Sequence, residues 1–382
     1  MKNDIAEHID SIKQELFKAA RKIWQYRELS LQEHKSSKLL QSLAEKHCFT
    51  VRSGLAGMTT AFEASFNKGR GNYKIAFLAE YDALPHVGHG CGHNLIGTAS
   101  LGAAVGLSKI AQKAGLEVFL FGTPAEETIG GKISMLEAGC FDEMDFIIMF
   151  HPSCLNSVSG DSLAISAFDV TFYGKPAHAA ADPFNGINAL DGLVSFYNSI
   201  AMLRQQLRSD ARIHFIIRQG GYALNIIPEK AVGEIAIRAK DRAYLEIITE
   251  KIRKMARASA SATFTKVNFR MSMPTYYEMH QHPVLADTFL KTAEELGISD
   301  FSYRINAGSV DIGNVSHRIP SLHAYLKIAD EDVPGHSAEF ARAAVKEESL
   351  EIMVKAAKIM AITSLKIIND PVLYAGLKNP NG

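Results

Sequence analysis

The chain has 382 residues, of which 47% are hydrophobic and 21% are charged, which is enough length and apolar content for two domains with substantial cores. Its 41 basic residues balance its 41 acidic residues, so neither nucleic acid nor an anionic membrane is expected as the main partner. Four scattered cysteines exclude a disulfide framework and indicate a reducing compartment, and no stretch is apolar for long enough to span a membrane.

The amino-terminal segment is predicted to form one amphipathic helix. Ile5, Ile9, Ile12, Leu16 and Ile23 recur at helical spacing among lysine, glutamate and aspartate residues. A segment of this kind is not typical of a signal peptide. We therefore expect a soluble, cytoplasmic protein.

Three buried strands are predicted next, and each leads into side chains that can bind a metal or carry a proton. The strands, with the residues that follow them, are 74–79 (Glu80, Asp82), 117–121 (Glu126, Glu127) and 145–150 (His151). In an open α/β sheet, ligands bind at the carboxyl edge of the strands. An acidic pair such as Glu126-Glu127 also has a purely structural explanation, since negative charges at the start of a helix are stabilised by the helix dipole.

The segment 86–94 follows the first of these strands and places Cys91 and His93 one residue apart. Thiolate and imidazole are ligands that zinc prefers, and Gly92 lets the backbone turn so that both side chains face one ion. A buried cysteine beside a structural histidine is the alternative for this segment alone. Its position among the three strand ends favours a metal site. A small-residue helix is predicted over 94–114.

A different unit begins near residue 163. Its predicted elements have the order β-α-β-β-α-β, which is the ferredoxin-like arrangement. They lie at about 165–173, 187–207, 212–218, 231–238, 243–258 and 264–271. The chain then continues with a helix at 285–296, a Gly-rich turn at 307–311 and a strand at 321–328. We predict one domain from residues 1–162 and 275–382, with 163–274 inserted into it.

Seven motifs resemble those of the clan MH metallopeptidases and amidohydrolases in order and spacing, over nearly the whole chain. They are Tyr81 to Pro85, Gly90 to Asn94, Glu126-Glu127, His151-Pro152, Gly174 to His178, Asn225 to Pro228 with Arg238, and Gly335 to Ser337. The chain looks most like the branch with a cysteine in the metal site, which includes aminoacylases, indole-acetyl-amino-acid hydrolases, aminobenzoyl-glutamate hydrolase and Xaa-basic dipeptidases. Asn94 and the segment 313–316 favour the last two.

The resemblance implies a zinc-exopeptidase-like catalytic domain with a mixed sheet flanked by helices, and an inserted ferredoxin-like domain that serves as a dimerisation or lid domain. It also implies two divalent ions per subunit, held by Cys91, His93, Glu127, His151 and His336. Cys91 is expected to bridge the ions. Zinc fits this set, and manganese or cobalt are alternatives.

The resemblance assigns roles to further residues. Asp82 is expected to fix the tautomer of a ligand imidazole, and Glu126 to act as the general base that takes a proton from water and passes it to the leaving amine. His178 is expected to stabilise the oxyanion in the site of the other subunit, so that a homodimer or higher oligomer completes the site. Asn225 and Arg238 are expected to hold the substrate carboxylate.

Outside the resemblance, these last three residues would be interpreted as surface groups. Asn94 stands where much of the branch has Asp. An amide cannot orient a neighbouring ligand as a carboxylate does, so the resemblance does not predict the hydrogen bonds at this position. His86 and His89 are interpreted as loop residues without an assigned role.

The predicted function is metal-dependent hydrolysis of an amide bond next to a free carboxylate, in N-acyl amino acids or dipeptides. An exopeptidase acting on short peptides is one alternative. A non-catalytic metal-binding relative is another, and Glu126 argues against it because a pure binder has no use for a base beside the metal. A nucleotide-dependent enzyme is disfavoured, since no Gly-rich phosphate loop occurs between a strand and a helix.

Overall fold

The computed structural model describes residues 1–158, 162–302 and 308–378, which form two compact units. The described strands are β1 (Thr50–Ser53), β2 (Phe62–Phe66), β3 (Tyr73–Ala79), β4 (Leu116–Gly122), β5 (Phe146–Ser153), β6 (Ala164–Tyr173), β7 (Arg212–Gln219), β8 (Lys230–Ala239), β9 (Lys266–Tyr276) and β10 (Ser321–Lys327).

The described α-helices are α1 (Lys2–Ser11), α2 (Lys13–Tyr26), α3 (His34–Lys46), α4 (His93–Ala114), α5 (Gly131–Glu137), α6 (Ala189–Leu203), α7 (Arg242–Ala262), α8 (Pro283–Glu295), α9 (Ile312–Ser316), α10 (Ala338–Ala343), α11 (Glu347–Asn369) and α12 (Pro371–Leu377). In these ranges, no helix combines the length and apolarity needed to cross a membrane. Residues 303–307, which include part of the predicted Gly-rich turn, lie outside the described residues.

The first unit comprises the described residues up to 158, 279–302 and 310–378, and contains a mixed six-stranded sheet. The strand order is β1-β2-β4-β3-β5-β10. The last four strands are parallel to one another, and β2 is antiparallel to both of its neighbours, β1 and β4. Alternate residues of β3 pack into different apolar clusters, Ile75 and Phe77 into one, Ala76 and Leu78 into another. The predicted mixed sheet flanked by helices is confirmed. Its parallel strands place several carboxyl ends at one edge.

The prediction of a single amino-terminal helix is wrong. Ile12 adopts φ −103° and ψ 4° and separates α1 from α2. Ile5, Ile9 and Leu16 are nevertheless buried, as the spacing predicted. Both helices contact α4, so the break at Ile12 lets each of them direct its apolar face onto the same helix.

The second unit comprises residues 162–278 with 308 and 309, and has the element order β6-α6-β7-β8-α7-β9. Its four strands are antiparallel in the order β7-β8-β6-β9, and α6 and α7 cover an apolar cluster that includes Phe168, Phe196 and Ile248. This confirms the ferredoxin-like arrangement. β9 extends five residues beyond the predicted 271, and α6 ends at Leu203 before a short 3-10 helix.

His89 is a loop residue with a structural role. Its side chain is buried, and its Nε2 lies 2.9 Å from the backbone carbonyl oxygen of Ile23, to which it can donate. Burial, reinforced by the nearby His93, lowers the pKa of His89 to about 3. The folded chain therefore holds this imidazole neutral, whereas the unfolded chain protonates it near pH 6.5, an approximate reference value. His86 is exposed in the same loop.

We predict that His89 contributes to loss of stability in acid. Because its folded pKa is depressed, stability is lost as pH falls below about 6.5, and a drop from about pH 7.5 to about pH 5.5 should cost about 1.4 kcal/mol through this group. Urea unfolding followed by fluorescence of Trp24, the sole tryptophan, should show a smaller pH dependence for His89→Gln by about that amount. His86→Gln is the matched control and should behave like wild type. Equal pH dependence in all three proteins would contradict the assignment.

Candidate metal centre

The carboxyl ends of β3, β4 and β5 supply the acidic and imidazole side chains of the centre. Glu80 and Asp82 follow β3, and Glu126 and Glu127 follow β4 within five residues. His151 lies inside β5 and not beyond the strand end, where the sequence predicted it. The strand is longer than predicted because its pairing with β10 continues to Ser153.

The turn before α4 brings Cys91 and His93 to this edge. Gly92 has φ +74°, and a Cβ atom built on it would lie 2.4 Å from Cγ of Pro152. Glycine is therefore required there both by the left-handed backbone and by the close approach of β5. Cys91 and His93, on either side of it, are both buried.

Two overlapping groups of ligand-type atoms result. One contains Cys91, His93 and Glu127, and the other contains Glu80, His93 and His151; within each group the atoms lie within 4.8 Å of one another. His93 belongs to both, with its Nε2 3.3 Å from Oε2 of Glu80 and 3.7 Å from Oε1 of Glu127. The geometry therefore makes His93 the common member of the centre.

These residues fit a metal ion. Within the described part of the chain, Glu80 Oε2, His93 Nε2 and Glu127 Oε1 are buried without a hydrogen-bond partner. A buried polar atom left without a partner costs roughly 1–3 kcal/mol, so three such atoms facing one another are unfavourable unless something binds them. A divalent cation satisfies carboxylate and imidazole atoms together.

Asp82 orients the His93 ring. Its Oδ1 and its backbone oxygen each lie 3.0 Å from Nδ1 of His93, so a neutral ring would donate its proton there and carry its lone pair on Nε2. Ser30 Oγ donates to Asp82 at 2.9 Å, and the Glu127 N–H does so at 3.2 Å. Although burial opposes ionisation, these hydrogen bonds and His93 lower the pKa of Asp82 to about 2. The carboxylate is thus ionised when it binds the ring.

Cys91 and Glu126 are both shifted toward their protonated forms. Burial raises the pKa of the Cys91 thiol well above its usual range, and Glu127 adds to this effect. Burial also raises the pKa of Glu126, followed by repulsion from Glu80, Glu127 and Asp311. Glu126 belongs to neither ligand group, whereas its acidic neighbours Glu80 and Glu127 belong to one each.

His336 is placed differently from the other predicted ligands. Its backbone N–H donates to the carbonyl oxygen of Gly90 at 3.0 Å, which ties it to the loop before Cys91. Its side chain is exposed and belongs to neither ligand group. The buried side-chain amide of Asn94 donates to the carbonyl oxygens of Ala344 at 2.9 Å and Ala20 at 3.4 Å. It therefore joins segments of the scaffold.

The remaining predicted site residues belong to the second unit. Nδ1 of His178 accepts hydrogen bonds from the N–H groups of Ala180 (3.2 Å) and Ala181 (3.0 Å), which places the proton of a neutral ring on Nε2. The backbone next to His178 is paired with that of Asn225, because the Ala179 N–H donates to the Asn225 carbonyl oxygen at 2.9 Å. Both side chains are exposed.

Arg238 lies on β8 of the same unit and is partly buried. Its Nη1 donates to Oγ of Ser309 at 2.6 Å, and burial lowers its pKa without depriving it of its charge at neutral pH. The second unit thus holds a fixed guanidinium and a preoriented imidazole donor.

Two residues at the centre had no role assigned from the sequence. Glu80 was only part of the acidic segment after β3, yet it belongs to a ligand group. Lys132 was not singled out, although its ammonium lies in the same buried region. The available signal was the position of Glu80 directly after a strand; Lys132 carried none, because lysine is rarely buried.

Comparison with known proteins decides the family. Xaa-Arg dipeptidase of Mus musculus is 35% identical over 396 aligned residues, which cover 99% of this chain and 91% of that protein. The chain belongs to the M20 family of metallopeptidases and amidohydrolases. The M20 peptidase dimerisation domain matches residues 164–263, within the second unit. The predicted resemblance and the predicted class of metal-dependent hydrolase are thereby confirmed.

Two further relatives of this M20 chain agree. One of the subunits of p-aminobenzoyl-glutamate hydrolase from Escherichia coli K12 is 32% identical over 287 residues, covering 70% of this chain and 59% of that protein. A dinuclear metal binding peptidase of the M20 family from Bacillus subtilis has a solved structure with a TM-score of 0.69 at 18% identity, covering 94% of this chain and 99% of that one. The latter shows the shared fold.

We predict that Cys91→Ala lowers metal occupancy and abolishes hydrolysis, because the ligand group loses its thiolate. Metal binding must ionise the buried thiol, so wild type should release about one proton more per chain than the variant. Elemental analysis after gel filtration and an indicator-dye titration measure these two quantities. Cys140→Ala, at a partly buried free cysteine, is the control. An active Cys91→Ala protein that binds two ions would contradict the expectation that Cys91 is a required metal ligand.

Proposed function

We propose that this chain uses two divalent ions to hydrolyse the amide bond of dipeptides or N-acyl amino acids that carry a free carboxylate. The observation that carries the proposal is that ligand atoms of His93 and Glu127 are buried without a hydrogen-bond partner among the described residues, beside a carboxyl group with a raised pKa, Glu126. The names of the relatives, a dipeptidase and a hydrolase of an aminobenzoyl-glutamate, support the choice of substrate class.

The proposed ligands are those that the resemblance implies: Cys91, His93, Glu127, His151 and His336. His93 offers one nitrogen, since Asp82 occupies the other, and so binds one ion. Cys91 is the proposed bridge, because a single thiolate can neutralise charge on both ions. Zinc suits this mixture of sulfur, nitrogen and oxygen donors. When bound, the ions polarise the amide carbonyl and lower the pKa of water toward neutrality.

Glu126 is the proposed general base. Its pKa is raised by burial and by three neighbouring carboxylates, so its carboxylate holds a proton more strongly than that of an exposed glutamate. The carboxylate takes a proton from the attacking water and delivers it to the leaving amine. Asp82 keeps its charge throughout, because its pKa is about 2, and maintains the orientation of His93.

His178 is proposed to donate its Nε2 proton to the oxyanion. The two backbone N–H groups on Nδ1 fix this tautomer before substrate arrives, which is how preorganised donors act. Asn225 and Arg238 are proposed to bind the substrate carboxylate. Arg238 presents a planar fork that is already anchored on Ser309, so little side-chain freedom is lost on binding.

We propose that the chain forms a homodimer through its second unit. β7 is an edge strand of that sheet, and its exposed Ile216 and Ile217 lie in the same unit as the exposed Tyr197 and Met202 of α6. Edge strands with exposed apolar side chains favour pairing with another chain, and the match to a peptidase dimerisation domain supports this. Four free cysteines support a cytoplasmic location.

The general base is tested by Glu126→Gln. This variant should keep its metal content and lose at least ~100-fold in kcat, the scale of a missing general acid–base group. Its matched control is Glu127→Gln, which should lose metal. The measurements are elemental analysis and steady-state hydrolysis of dipeptides and N-acyl amino acids, compared with analogues whose carboxylate is amidated. Metal loss in Glu126→Gln with unchanged turnover per bound ion would reverse the two assignments.

The shared site is tested by subunit complementation. His178→Ala and Glu126→Gln should each be nearly inactive, and a heterodimer of the two should regain activity because one of its sites keeps both residues. At most about half of the wild-type activity per dimer is expected, since only one of two sites is intact.

The two chains are distinguished by affinity tags, and heterodimers are isolated after subunit exchange. Mixtures of Glu126→Gln with Glu127→Gln serve as the control, because both changes affect the same unit and no intact site forms. Isolated heterodimers of His178→Ala and Glu126→Gln that remain as inactive as the parents would show that His178 does not complete the partner's site.

A further inference from the structure

Lys132 is a fully buried cation beside the candidate ligands. Its Nζ lies 2.5 Å from Oε1 of Glu80 and 2.7 Å from Oδ1 of Asp311, and the side chains of all three residues are at most 3% exposed. The backbone N–H of Lys132 also donates to Oδ2 of Asp311 at 3.1 Å. The Asp311 carboxylate therefore binds both the backbone N–H and the ammonium group of Lys132.

The placement of Lys132 breaks two local rules. Lysine is almost never fully buried, and a cation in the first turn of a helix opposes the helix dipole. Lys132 is the second residue of α5. The chain reaches this position only because Gly131 lacks a side chain, since a Cβ atom there would lie 2.0 Å from the carbonyl oxygen of Pro124. Departures of this kind from local preference are expected at functional sites.

The two oxygens of Glu80 have different environments. Lys132 binds Oε1, whereas Oε2 is buried without a hydrogen-bond partner among the residues that the structure describes and lies 3.3 Å from Nε2 of His93. Oε2 also forms a ligand group with His93 and His151. Lys132 thus binds one oxygen of the carboxylate, while the other oxygen lies near both imidazoles.

We propose that Glu80 is an additional ligand of the metal centre and that Lys132 is the residue that positions it, with Asp311 holding Lys132. This inference rests on the proposed metal-dependent function and adds a donor to the ligand set given above. Lys132 limits Glu80 to one coordinating oxygen, because its ammonium occupies the other. Lys132 does not itself meet substrate, since it is buried and bound on two sides.

The test uses the full-length chain, stripped of metal and loaded with cobalt(II), whose visible spectrum reports the ligand set. Glu80→Gln should weaken cobalt binding at least ~10-fold in chelator competition and change the spectrum. Lys132→Met should change the spectrum when Glu80 is present and leave it unchanged in the Glu80→Gln background. That dependence identifies positioning through Glu80, because a general loss of packing would act in both backgrounds.

Two further variants keep the test decisive. Glu117→Gln alters another buried carboxylate, on β4, which is bonded to the Gly71 N–H at 3.2 Å, and should leave cobalt affinity and spectrum unchanged. If Lys132→Met fails to fold because Asp311 is left unpaired, Lys132→Met/Asp311→Asn removes that charge as well and should show the same spectral change.

The possible outcomes distinguish the roles proposed for Glu80 and Lys132 from the proposed metal-dependent function. An unchanged spectrum and affinity in Glu80→Gln, in a wild-type chain that binds cobalt and hydrolyses substrate, overturns the ligand role and leaves the proposed function standing. A spectrum altered by Glu80→Gln but not by Lys132→Met, nor by the double variant, overturns the positioning role. A wild-type chain that binds no cobalt overturns the proposed function itself.

Discussion

Repulsion among buried carboxylates is the constraint on which the rest of this centre depends. Glu80, Asp82 and Asp311 are buried, the partly buried Glu126 and Glu127 lie close to them, and burial weakens the screening that water would provide. The strain is visible in the raised pKa of Glu126, caused by burial and its acidic neighbours, and in that of Asp311, caused by burial and Glu80. Lys132 neutralises part of this negative charge, and bound divalent cations would neutralise more of it.

The hydrogen bonds around the centre divide the carboxylates by role. Asp82 accepts bonds from Ser30, Glu127 and His93 and stays ionised, which makes it an orienting group. Glu126 has a raised pKa, which favours its protonated form. The environments of the two carboxyl groups therefore shift their pKa values in opposite directions at one edge of the sheet.

Sequence patterns predicted what depends on local periodicity and missed what depends on tertiary contact. Apolar runs located β3, β4 and β5, and hence the edge at which Asp82, Glu126 and Glu127 are found. The break at Ile12 follows from packing of two helices on α4, which no spacing of apolar residues encodes. Burial of Lys132 likewise requires Asp311, 179 positions away in the chain, as its partner.

In the proposed enzyme, the two units divide the chemistry between separate cores. The candidate metal ligands and Asp82, which orients His93, belong to the first unit, whereas the proposed oxyanion donor His178 and the proposed carboxylate-binding residue Arg238 belong to the ferredoxin-like unit. Substitutions in one core therefore need not disturb the function of the other. The second unit can change its substrate contacts at exposed loops, such as that of Asn225, while the buried charge balance of the first unit stays fixed. Such a separation would let one fold act on different substrates, as the names of the related dipeptidase and aminobenzoyl-glutamate hydrolase suggest.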